Sequence, residues 1–351
     1  MQNTRNLRVE SVRPLLSPAI LLEEIPLSAA SADTVSGSRG EVADILTGAG
    51  DRLLVVVGPC SIHDPVAAED YAGRLQAVAQ RLRDDLCLVM RVYFEKPRST
   101  VGWKGLINDP DLDGTFQINK GLRAARGLLA RLTSRGIPCG TEFLDPISPQ
   151  FVADAISWGA IGARTVESQV HRELASGLSM PIGFKNGTTG AVQVAVDAVT
   201  ASAHPHRFLG VTEQGLAGIV TTVGNPYCHV ILRGGAAGPN FSAASVGEAA
   251  EIMGRAGLRP AVMIDCSHGN SQKDFRRQPD VARAVAAQVA AGSAAIIGVM
   301  IESHLVEGRQ DLQPGRSLTY GQSVTDACLG WEATAPLLEE LAAAVRRRRA
   351  I

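Results

Sequence analysis

The stretch Leu53–Asp64, L-L-V-V-V-G-P-C-S-I-H-D, carries five apolar residues directly before a Gly-Pro turn. A short, uninterrupted apolar run that ends in turn residues is typical of a strand buried on both faces, as in a parallel sheet. The first polar side chains beyond the turn are Cys60, Ser61 and His63. Parallel sheets and α/β barrels carry their chemistry at the carboxyl ends of the strands. The stretch therefore predicts a parallel strand with a functional rim at Cys60.

Seven further apolar runs follow the first one, and they are interspersed with helical patterns. The predicted strands two to eight are Leu86–Val92, Ile137–Phe143, Ala160–Arg164, Pro181–Phe184, His229–Leu232, Ala261–Ile264 and Ala295–Ile301. The predicted helices are Ser38–Thr47, Pro65–Leu82, Phe116–Ser134, Pro149–Trp158, Ala191–Ala203, Val246–Ala256, Pro279–Ala291 and Pro336–Arg349. Eight strands in such an alternation predict a (β/α)8 TIM barrel, an α/β fold.

Two segments lie outside a minimal barrel. Residues 1–50 are predicted to form an N-terminal extension, which packs either on a neighbouring subunit or on its own barrel. Two short apolar runs on either side of Gly215 predict a β-hairpin insertion at about residues 205–224, before strand six. The rest of the chain, residues 51–351, is predicted to be one barrel domain.

The composition limits the possible partners and the compartment. With a net charge of −1, no overall field favours nucleic acid or an anionic membrane. No apolar run approaches the roughly 20 residues of a membrane span. Six dispersed cysteines without a C-x-x-C pair indicate reduced thiols and a cytoplasmic location. The four arginines at 346–349 could bind an anionic surface, but a solvated helix end is the preferred interpretation.

Positive side chains follow several of the predicted strands. Cations that converge on one mouth repel one another unless an anion is bound among them. Phosphate suits such a place, since arginine pairs with two of its oxygens and lysine acts as a point charge. The cations form one group of Arg91, Lys96, Arg164, Lys185 and Arg233, and a second group of Arg98 with Ser99 and Thr100. Two groups predict two anionic moieties.

A second set of polar residues follows strands one, seven and eight. It consists of Cys60, Asp265, Cys266, Ser267, His268, Glu302 and His304, with Asp326 from a later loop. Thiolate, imidazole and carboxylate together suit a divalent transition metal better than magnesium. Each residue also has an ordinary structural interpretation, so the metal site remains one alternative at this point. GxGxxG and P-loop motifs are absent, which disfavours nucleotide binding. A Ser-His-Asp triad stays open, although G-x-S-x-G is absent.

Several motifs in these segments are shared with one known family. They are G-P-C-S-I-H-D from Gly58, R-V-Y-F-E-K-P-R-S-T-V-G-W-K-G from Arg91, G-A-R-T-V-E-S-Q from Gly162, G-F-K-N-G-T from Gly183, R-G-G from Arg233, D-C-S-H-G-N from Asp265 and E-S-H from Glu302. With them the chain resembles the type I, feedback-regulated 3-deoxy-D-arabino-heptulosonate 7-phosphate (DAHP) synthases over nearly its whole length. The resemblance implies condensation of phosphoenolpyruvate with D-erythrose 4-phosphate and water, the first step of the shikimate pathway.

The resemblance also implies a role for each group of residues. Phosphoenolpyruvate would be bound by Arg91, Lys96, Glu142, Arg164, Lys185 and Arg233, with backbone amides near Ala163. The aldose phosphate would be bound by Arg98, Ser99 and Thr100, where the family more often has Thr at position 99. A divalent ion of manganese, iron, cobalt or zinc would be held by Cys60, His268, Glu302 and Asp326, the last also facing substrate.

The implied catalytic residues are Lys96, Glu142, Cys60 and His268. In the mechanism that we expect, the metal acts as a Lewis acid on the aldehyde, and C3 of phosphoenolpyruvate attacks the aldehyde carbon. Lys96 donates a proton to the new alkoxide, and Glu142 handles the proton of the water that adds to C2.

The predicted hairpin belongs to regulation in this subclass, where such an insertion helps to form a site for an inhibitory aromatic amino acid. The matching positions are Pro149, Gln150, Leu174, Leu178, Ser179, Phe208, Gly210 and Val220. Phenylalanine-sensitive members carry Ser where this chain has Gly210, and glycine leaves room for a phenolic hydroxyl. We therefore expect inhibition by tyrosine, with tryptophan second. The extension and the hairpin favour a homodimer or homotetramer.

Two other functions are compatible with part of this pattern. A related synthase could use arabinose 5-phosphate or N-acetylmannosamine, but K-P-R-S-T at positions 96–100 and the hairpin disfavour it. A non-catalytic sensor of phosphorylated ligands would not need the complete set of Cys60, Lys96, His268, Glu302 and Asp326.

Overall fold

The computed structural model describes residues 4–98, 100–313, 315 and 317–351. The strands found among these residues are β1 (Leu53–Gly58), β2 (Leu86–Arg91), β3 (Cys139–Glu142), β4 (Trp158–Ile161), β5 (Ile182–Lys185), β6 (Arg207–Val211), β7 (Ala217–Thr221), β8 (Cys228–Leu232), β9 (Val262–Asp265), β10 (Ile296–Glu302), β11 (Val306–Arg309) and β12 (Gln322–Ser323). The helices are α1 (Pro18–Glu24), α2 (Ala29–Thr47), α3 (Pro65–Leu82), α4 (Ile118–Ser134), α5 (Pro149–Val152), α6 (Gln169–Gly177), α7 (Gln193–Ser202), α8 (Ala243–Arg255), α9 (Gln278–Ala290) and α10 (Trp331–Arg349).

Eight parallel strands close into a barrel in the order β1-β10-β9-β8-β5-β4-β3-β2, and β2 pairs with β1 again. The prediction of a (β/α)8 TIM barrel is thereby confirmed. The hairpin insertion is also confirmed, because β6 and β7 form a separate antiparallel pair immediately before β8, the sixth barrel strand. Parallel closure brings the carboxyl ends of all eight strands to one rim.

The barrel strands are buried on both sides, as the continuous apolar runs predict. In β1, Leu54 and Val56 belong to an inner cluster, whereas Val55 belongs to the outer layer between sheet and helices. The inner cluster includes Trp158 and Met300 from other strands, so the barrel interior is filled with side chains. Substrates can therefore reach only the rim, not a pore through the barrel.

The helix α2 closes the amino-terminal end of the barrel. Its residues Val42, Ile45 and Leu46 belong to the inner cluster of the barrel. Arg39 donates to the backbone carbonyls of Ala153 and Ile156, at 2.7 and 2.9 Å. The sequence predicted only residues 38–47 of this helix. Its first half, with Ser, Thr and Gly, has low helix propensity, and packing on the protein compensates for that.

Two other helix predictions were wrong, and the helices α1 and α6 were not predicted. The predicted helix Pro149–Trp158 is only the single turn of α5 and a 3₁₀ turn at Ala153–Ala155, because Trp158 already lies in β4 inside the barrel. The helix α6 was missed, since its nine residues give too short an apolar pattern. The last helix begins at Trp331 and contains Pro336, although the sequence predicts Pro336 as its first residue. Strand four correspondingly runs over Trp158–Ile161 instead of Ala160–Arg164.

The arginines at the end of α10 are engaged by carboxylates at the amino-terminal end of the barrel. Arg346 and Arg349 both contact Asp85, at 2.6 and 2.7 Å, and Arg349 also contacts Asp51 at 2.6 Å. Cations at a helix carboxyl end also interact favourably with the helix dipole. Among the described residues, no helix combines the length and the apolar character that crossing a membrane requires.

Candidate active site

The site begins where β1 ends. Gly58 has φ +151°, and a Cβ there would lie 3.0 Å from the carbonyl oxygen of Arg91. Only glycine allows the two strand ends to approach so closely. The chain then turns inwards and buries Cys60 completely at the rim. Burial, together with the charge of Glu302, raises the pKa of the Cys60 thiol to about 11. A metal bound at this sulfur would displace the proton.

Three of the four predicted metal ligands lie together. Donor atoms of Cys60, Glu302 and Asp326 are all within 4.8 Å of one another. The fourth, His268, has its Nε2 4.0 Å from Oε1 of Glu302. Gln278 fixes the backbone of Glu302 by accepting from its N–H at 2.9 Å and donating to its carbonyl at 3.0 Å. Sulfur, nitrogen and carboxylate donors in this combination fit a divalent transition metal.

The other polar residues at these strand ends have different positions. Cys266 packs in the outer apolar layer of the barrel. His304 is buried against Tyr71 and His63, with ring centroids at 6.3 and 6.2 Å. Burial lowers the pKa of His304 to about 3, so its imidazole is neutral. The polar residues that were predicted after strands one, seven and eight thus fall into two groups: some face the rim, and others pack behind it.

A buried ion pair forms the floor of the site. Arg91 is fully buried and donates to Oε1 of Glu302 at 3.1 Å. Its guanidinium also lies 3.8 Å from the centre of the Tyr93 ring, a cation–π contact. Arg91 is therefore held beneath the cavity, between the predicted metal ligands and the remaining cations.

A cavity of about 510 Å³ opens above this floor. The predicted site residues that line it are Lys96, Arg98, Thr100, Glu142, Ala163, Arg164, Lys185, Arg233, His268, Glu302 and Asp326. Ser99 lies outside the described residues. The two predicted cationic groups therefore share one cavity, and this cavity also reaches the predicted metal ligands.

Lys96 connects the two halves of the site. Its ammonium donates to the carbonyl oxygen of Cys60 at 3.2 Å and lies 5.6 Å from the centre of the Tyr93 ring. Burial opposes its charge, yet interactions with the Cys60 side chain and with the carboxylates of Glu302 and Glu142 raise the pKa of Lys96 above its usual value. Lys96 is thus held in its protonated form between the predicted metal ligands and Glu142.

Glu142, at the end of β3, is buried on the wall of the cavity. A Cβ at position 162 would lie 2.2 Å from its Oε1, so the carboxylate occupies the space that a side chain at Gly162 would need. Gly162 directly precedes Ala163 and Arg164, which line the same cavity. The glycine therefore brings the carboxylate against the backbone that was predicted to bind the first substrate.

Glu95, next to Lys96, is a second buried carboxyl group. Its Oε2 accepts a hydrogen bond from Ser148 Oγ at 2.9 Å. Burial raises the pKa of Glu95 to about 7, and the nearby Asp145 and Glu142 act in the same direction. Glu95 thereby joins the segment after β2, which carries Lys96, to Ser148 directly before α5.

The predicted effector residues are found in three elements. Phe208 and Val220 pair across the hairpin, and a hydrogen bond of 2.7 Å between Thr222 and Ser176 joins the hairpin to α6. Leu174, Leu178 and Ser179 lie in α6 or just after it, whereas Pro149 and Gln150 begin α5. The hairpin and α6 are therefore in contact. The start of α5 is connected to the active site through the hydrogen bond between Ser148 and Glu95.

Two cations of the site were not in the predicted set. Lys273 and Arg309 line the cavity wall. Lys273 lies in a loop and Arg309 in the short strand β11, where no periodic pattern identifies them. Asp265 was predicted among the polar residues of the possible metal site, because it is a carboxylate at the end of a barrel strand. Its contacts with Lys185 and His268, both at 2.9 Å, were not predicted.

Comparison with known proteins gives a consistent family. The sequence matches the family described as "DAHP synthetase I family" over residues 24–339. The structure of phospho-2-dehydro-3-deoxyheptonate aldolase from Francisella tularensis superposes with a TM-score of 0.96, at 56% identity, over 97% of this chain and 99% of that one.

Curated relatives differ in the sensitivity that their names state. The Phe-sensitive phospho-2-dehydro-3-deoxyheptonate aldolase of Escherichia coli is 59% identical over 344 residues, which cover 98% of each chain. The tyrosine-inhibited enzyme of that name from Schizosaccharomyces pombe is 56% identical, over 97% of this chain and 93% of its own. Overall identity therefore does not decide between the two sensitivities.

The buried Glu95 predicts how stability changes with pH. Its pKa is about 7 in the folded chain and near 4.5 when exposed, so the folded state binds the proton more tightly. The resulting stabilisation is complete below about pH 4.5 and is lost as the pH rises through 7. Glu95→Gln stays neutral at every pH. The difference between its free energy of unfolding and that of the wild type should therefore change by about 1–3 kcal/mol in favour of the variant from pH 5 to pH 8.

Urea unfolding at the two pH values measures this difference. The control is Glu167→Gln, which alters an exposed carboxylate. If the free energies of unfolding of Glu95→Gln and wild type differ by the same amount at both pH values, the pKa of Glu95 is not raised in the folded chain.

Proposed function

The chain belongs to the DAHP synthetase I family, and we propose that it condenses phosphoenolpyruvate with D-erythrose 4-phosphate and water with the aid of a divalent metal ion. It is a carbon–carbon bond-forming transferase, a DAHP synthase of the first shikimate step. The observation that carries the proposal is the shared cavity: the cations line it together with Glu302 and Asp326, whose donor atoms lie within 4.8 Å of the buried Cys60 sulfur.

The cations account for two phosphorylated substrates. Lys185 and Lys96 are buried at the base of the cavity, where a phosphate or carboxylate would be shielded from water. Arg164 and Arg233 lie higher on the wall and can pair with two phosphate oxygens each. Arg98 and Thr100 are exposed at the mouth, which suits the terminal phosphate of an aldose. The enol thus lies deep in the site and the aldehyde enters from above.

Cys60, His268, Glu302 and Asp326 would hold the metal, which as a Lewis acid would polarise the aldehyde for attack. C3 of phosphoenolpyruvate then forms a bond to the aldehyde carbon, and positive charge develops at C2. Lys96 is protonated and buried beside the ligand group, so it can donate a proton to the alkoxide. A full cationic charge there also stabilises the developing negative charge.

Glu142 serves the second half of the reaction. Water adds to C2 and loses a proton, and the resulting hemiketal releases inorganic phosphate. Glu142 borders the cavity at Gly162 and can accept this proton. Lys185 and the arginines remain to bind the departing phosphate.

The proposal predicts a defined substrate preference. With manganese present, phosphoenolpyruvate should be consumed with erythrose 4-phosphate but not with arabinose 5-phosphate or N-acetylmannosamine. Consumption with another sugar alone would indicate the related synthase. Phosphoenolpyruvate binding without consumption would indicate the sensor.

The proposed role of Lys96 is tested separately. Lys96→Met should lower turnover at least about 100-fold, since the proton donor is removed, while manganese binding persists. An active Lys96→Met would refute the role of Lys96.

We also propose that an aromatic amino acid, tyrosine before tryptophan, inhibits the enzyme at the hairpin. Phe208, Gly210 and Val220 share the half-buried face of the hairpin, while Leu209 and Ile219 share the exposed one. A Cβ at position 210 would lie 2.5 Å from Cγ2 of Val220. A serine there would both displace Val220 and fill the space that a phenolic hydroxyl needs.

Gly210→Ser should therefore shift inhibition from tyrosine towards phenylalanine. The measurement is the concentration of each aromatic amino acid that halves the rate, in the variant and in wild type. Gly247→Ser in α8 is the matched control, because a Cβ there contacts nothing within 4 Å. An unchanged order of inhibitors in Gly210→Ser would contradict the proposed role of this glycine.

A homodimer or homotetramer in the cytoplasm completes the proposal. On the outer face of the hairpin, Leu209 is 89% exposed and Ile219 80%, and in the N-terminal extension Val12 is 84% exposed. Burying such apolar surface against a second copy would be favourable. All six cysteines are free thiols, in keeping with a reducing compartment. A monomer in sedimentation experiments would refute the oligomer.

A further inference from the structure

Asp265, at the end of β9, uses both carboxylate oxygens inside the site. Its Oδ1 accepts from the backbone N–H and the hydroxyl of Ser267, at 3.0 and 2.7 Å. Its Oδ2 lies 2.9 Å from Lys185 Nζ and 2.9 Å from His268 Nδ1. Asp265 itself is fully buried. One oxygen atom therefore faces a cation of the proposed phosphoenolpyruvate site and a proposed metal ligand at the same time.

The same contacts fix the tautomer of His268. The hydroxyl of Ser267 donates to Asp265, so it can only accept from His268 Nδ1, which lies 2.6 Å away. Both neighbours of Nδ1 are then acceptors, and Nδ1 must carry the proton. In the neutral ring the lone pair is then on Nε2, the atom directed towards Glu302. This is the form in which imidazole binds a metal, and a carboxylate behind the ring increases its basicity.

We propose that Asp265 is a positioning residue that couples metal binding to phosphoenolpyruvate binding. The inference rests on the proposed function. When a phosphate or carboxylate attracts Lys185, Oδ2 interacts more strongly with the His268 N–H and the imidazole becomes a better ligand. When a metal binds to Nε2, the N–H becomes more acidic and attracts Oδ2, which releases Lys185 for the substrate. Each ligand thus strengthens the binding of the other.

A purely structural role for Asp265 makes a different prediction. A carboxylate that only neutralises Lys185 would change the affinity for phosphoenolpyruvate but not the effect of the metal on it. Coupling between two ligands is reciprocal, so one factor must describe both directions. Direct attraction between the metal and the anion contributes to this factor without Asp265, and this part should persist in variants.

The test uses the whole protein and measures binding without turnover. Calorimetry gives the affinity for phosphoenolpyruvate with and without Mn²⁺, and for Mn²⁺ with and without phosphoenolpyruvate, in the absence of the aldose. We expect each ligand to tighten the other by the same factor, on the order of 10- to 100-fold. Asp265→Asn should lower this factor at least about fivefold. Ser267→Ala should weaken Mn²⁺ binding about tenfold but keep the factor, because the Oδ2 contacts remain.

A second variant covers the case in which Asp265→Asn does not fold. Lys185→Gln removes the competitor for Oδ2 and should tighten Mn²⁺ binding to the substrate-free protein more than Arg164→Gln, which removes another cavity cation. An unchanged factor in Asp265→Asn, or equal Mn²⁺ affinities in the two cation variants, would overturn the inference. Failure of the wild type to bind either ligand would instead refute the proposed function.

Discussion

The buried ion pair between Arg91 and Glu302 is the interaction on which the site depends. Two charged side chains that are exposed by only 0% and 2% need an opposite charge at close range to offset the loss of water. Arg91 comes from β2 and Glu302 from β10, which lie on either side of β1. Their pairing therefore fixes the strand ends around Cys60. The same pair joins the proposed metal ligands to the proposed substrate cations, so neither group can move independently.

Closure of the barrel places this pair where it can act. Parallel strands deliver all their carboxyl ends to one rim, and the interior below is packed with Leu54, Val56, Trp158 and Met300. The helix α2 closes the opposite end. A filled interior supports the buried charges from below and excludes water from them. This low-polarity setting strengthens each of the electrostatic contacts above it.

Much of the architecture could be predicted from sequence, because the signals were local. The run Leu53–Gly58 and the helix Pro65–Leu82 were found at the predicted positions, and Asp64 caps that helix. Trp158 was placed in a helix because its apolar neighbours fit both periods, and only the barrel interior decides between them. The full length of α2 depends on packing against the barrel, which its own composition does not disclose.

The site shows the same division. Residues at strand ends, such as Arg164 and Lys185, were predicted to line one cavity, and they do. The burial of Arg91 beneath that cavity was not predicted, because its position follows from the pairing of β2 with β1 and β10. Lys273 was also not predicted. It reaches the cavity from a loop in which three non-glycine residues have positive φ, namely His268, Gln272 and Lys273. Such backbone strain depends on the surrounding fold.

One metal ion and the substrate cations are proposed to form a single site at this rim. Anomalous diffraction at the manganese edge, from crystals grown with Mn²⁺ and phosphoenolpyruvate, locates the ion and the substrate together. We expect one anomalous peak, at about 2.0–2.6 Å from donor atoms of Cys60, His268, Glu302 and Asp326. Phosphoenolpyruvate should lie beside it, in contact with Lys96 and Lys185. Manganese bound elsewhere, in crystals of protein that consumes phosphoenolpyruvate, would refute the single site.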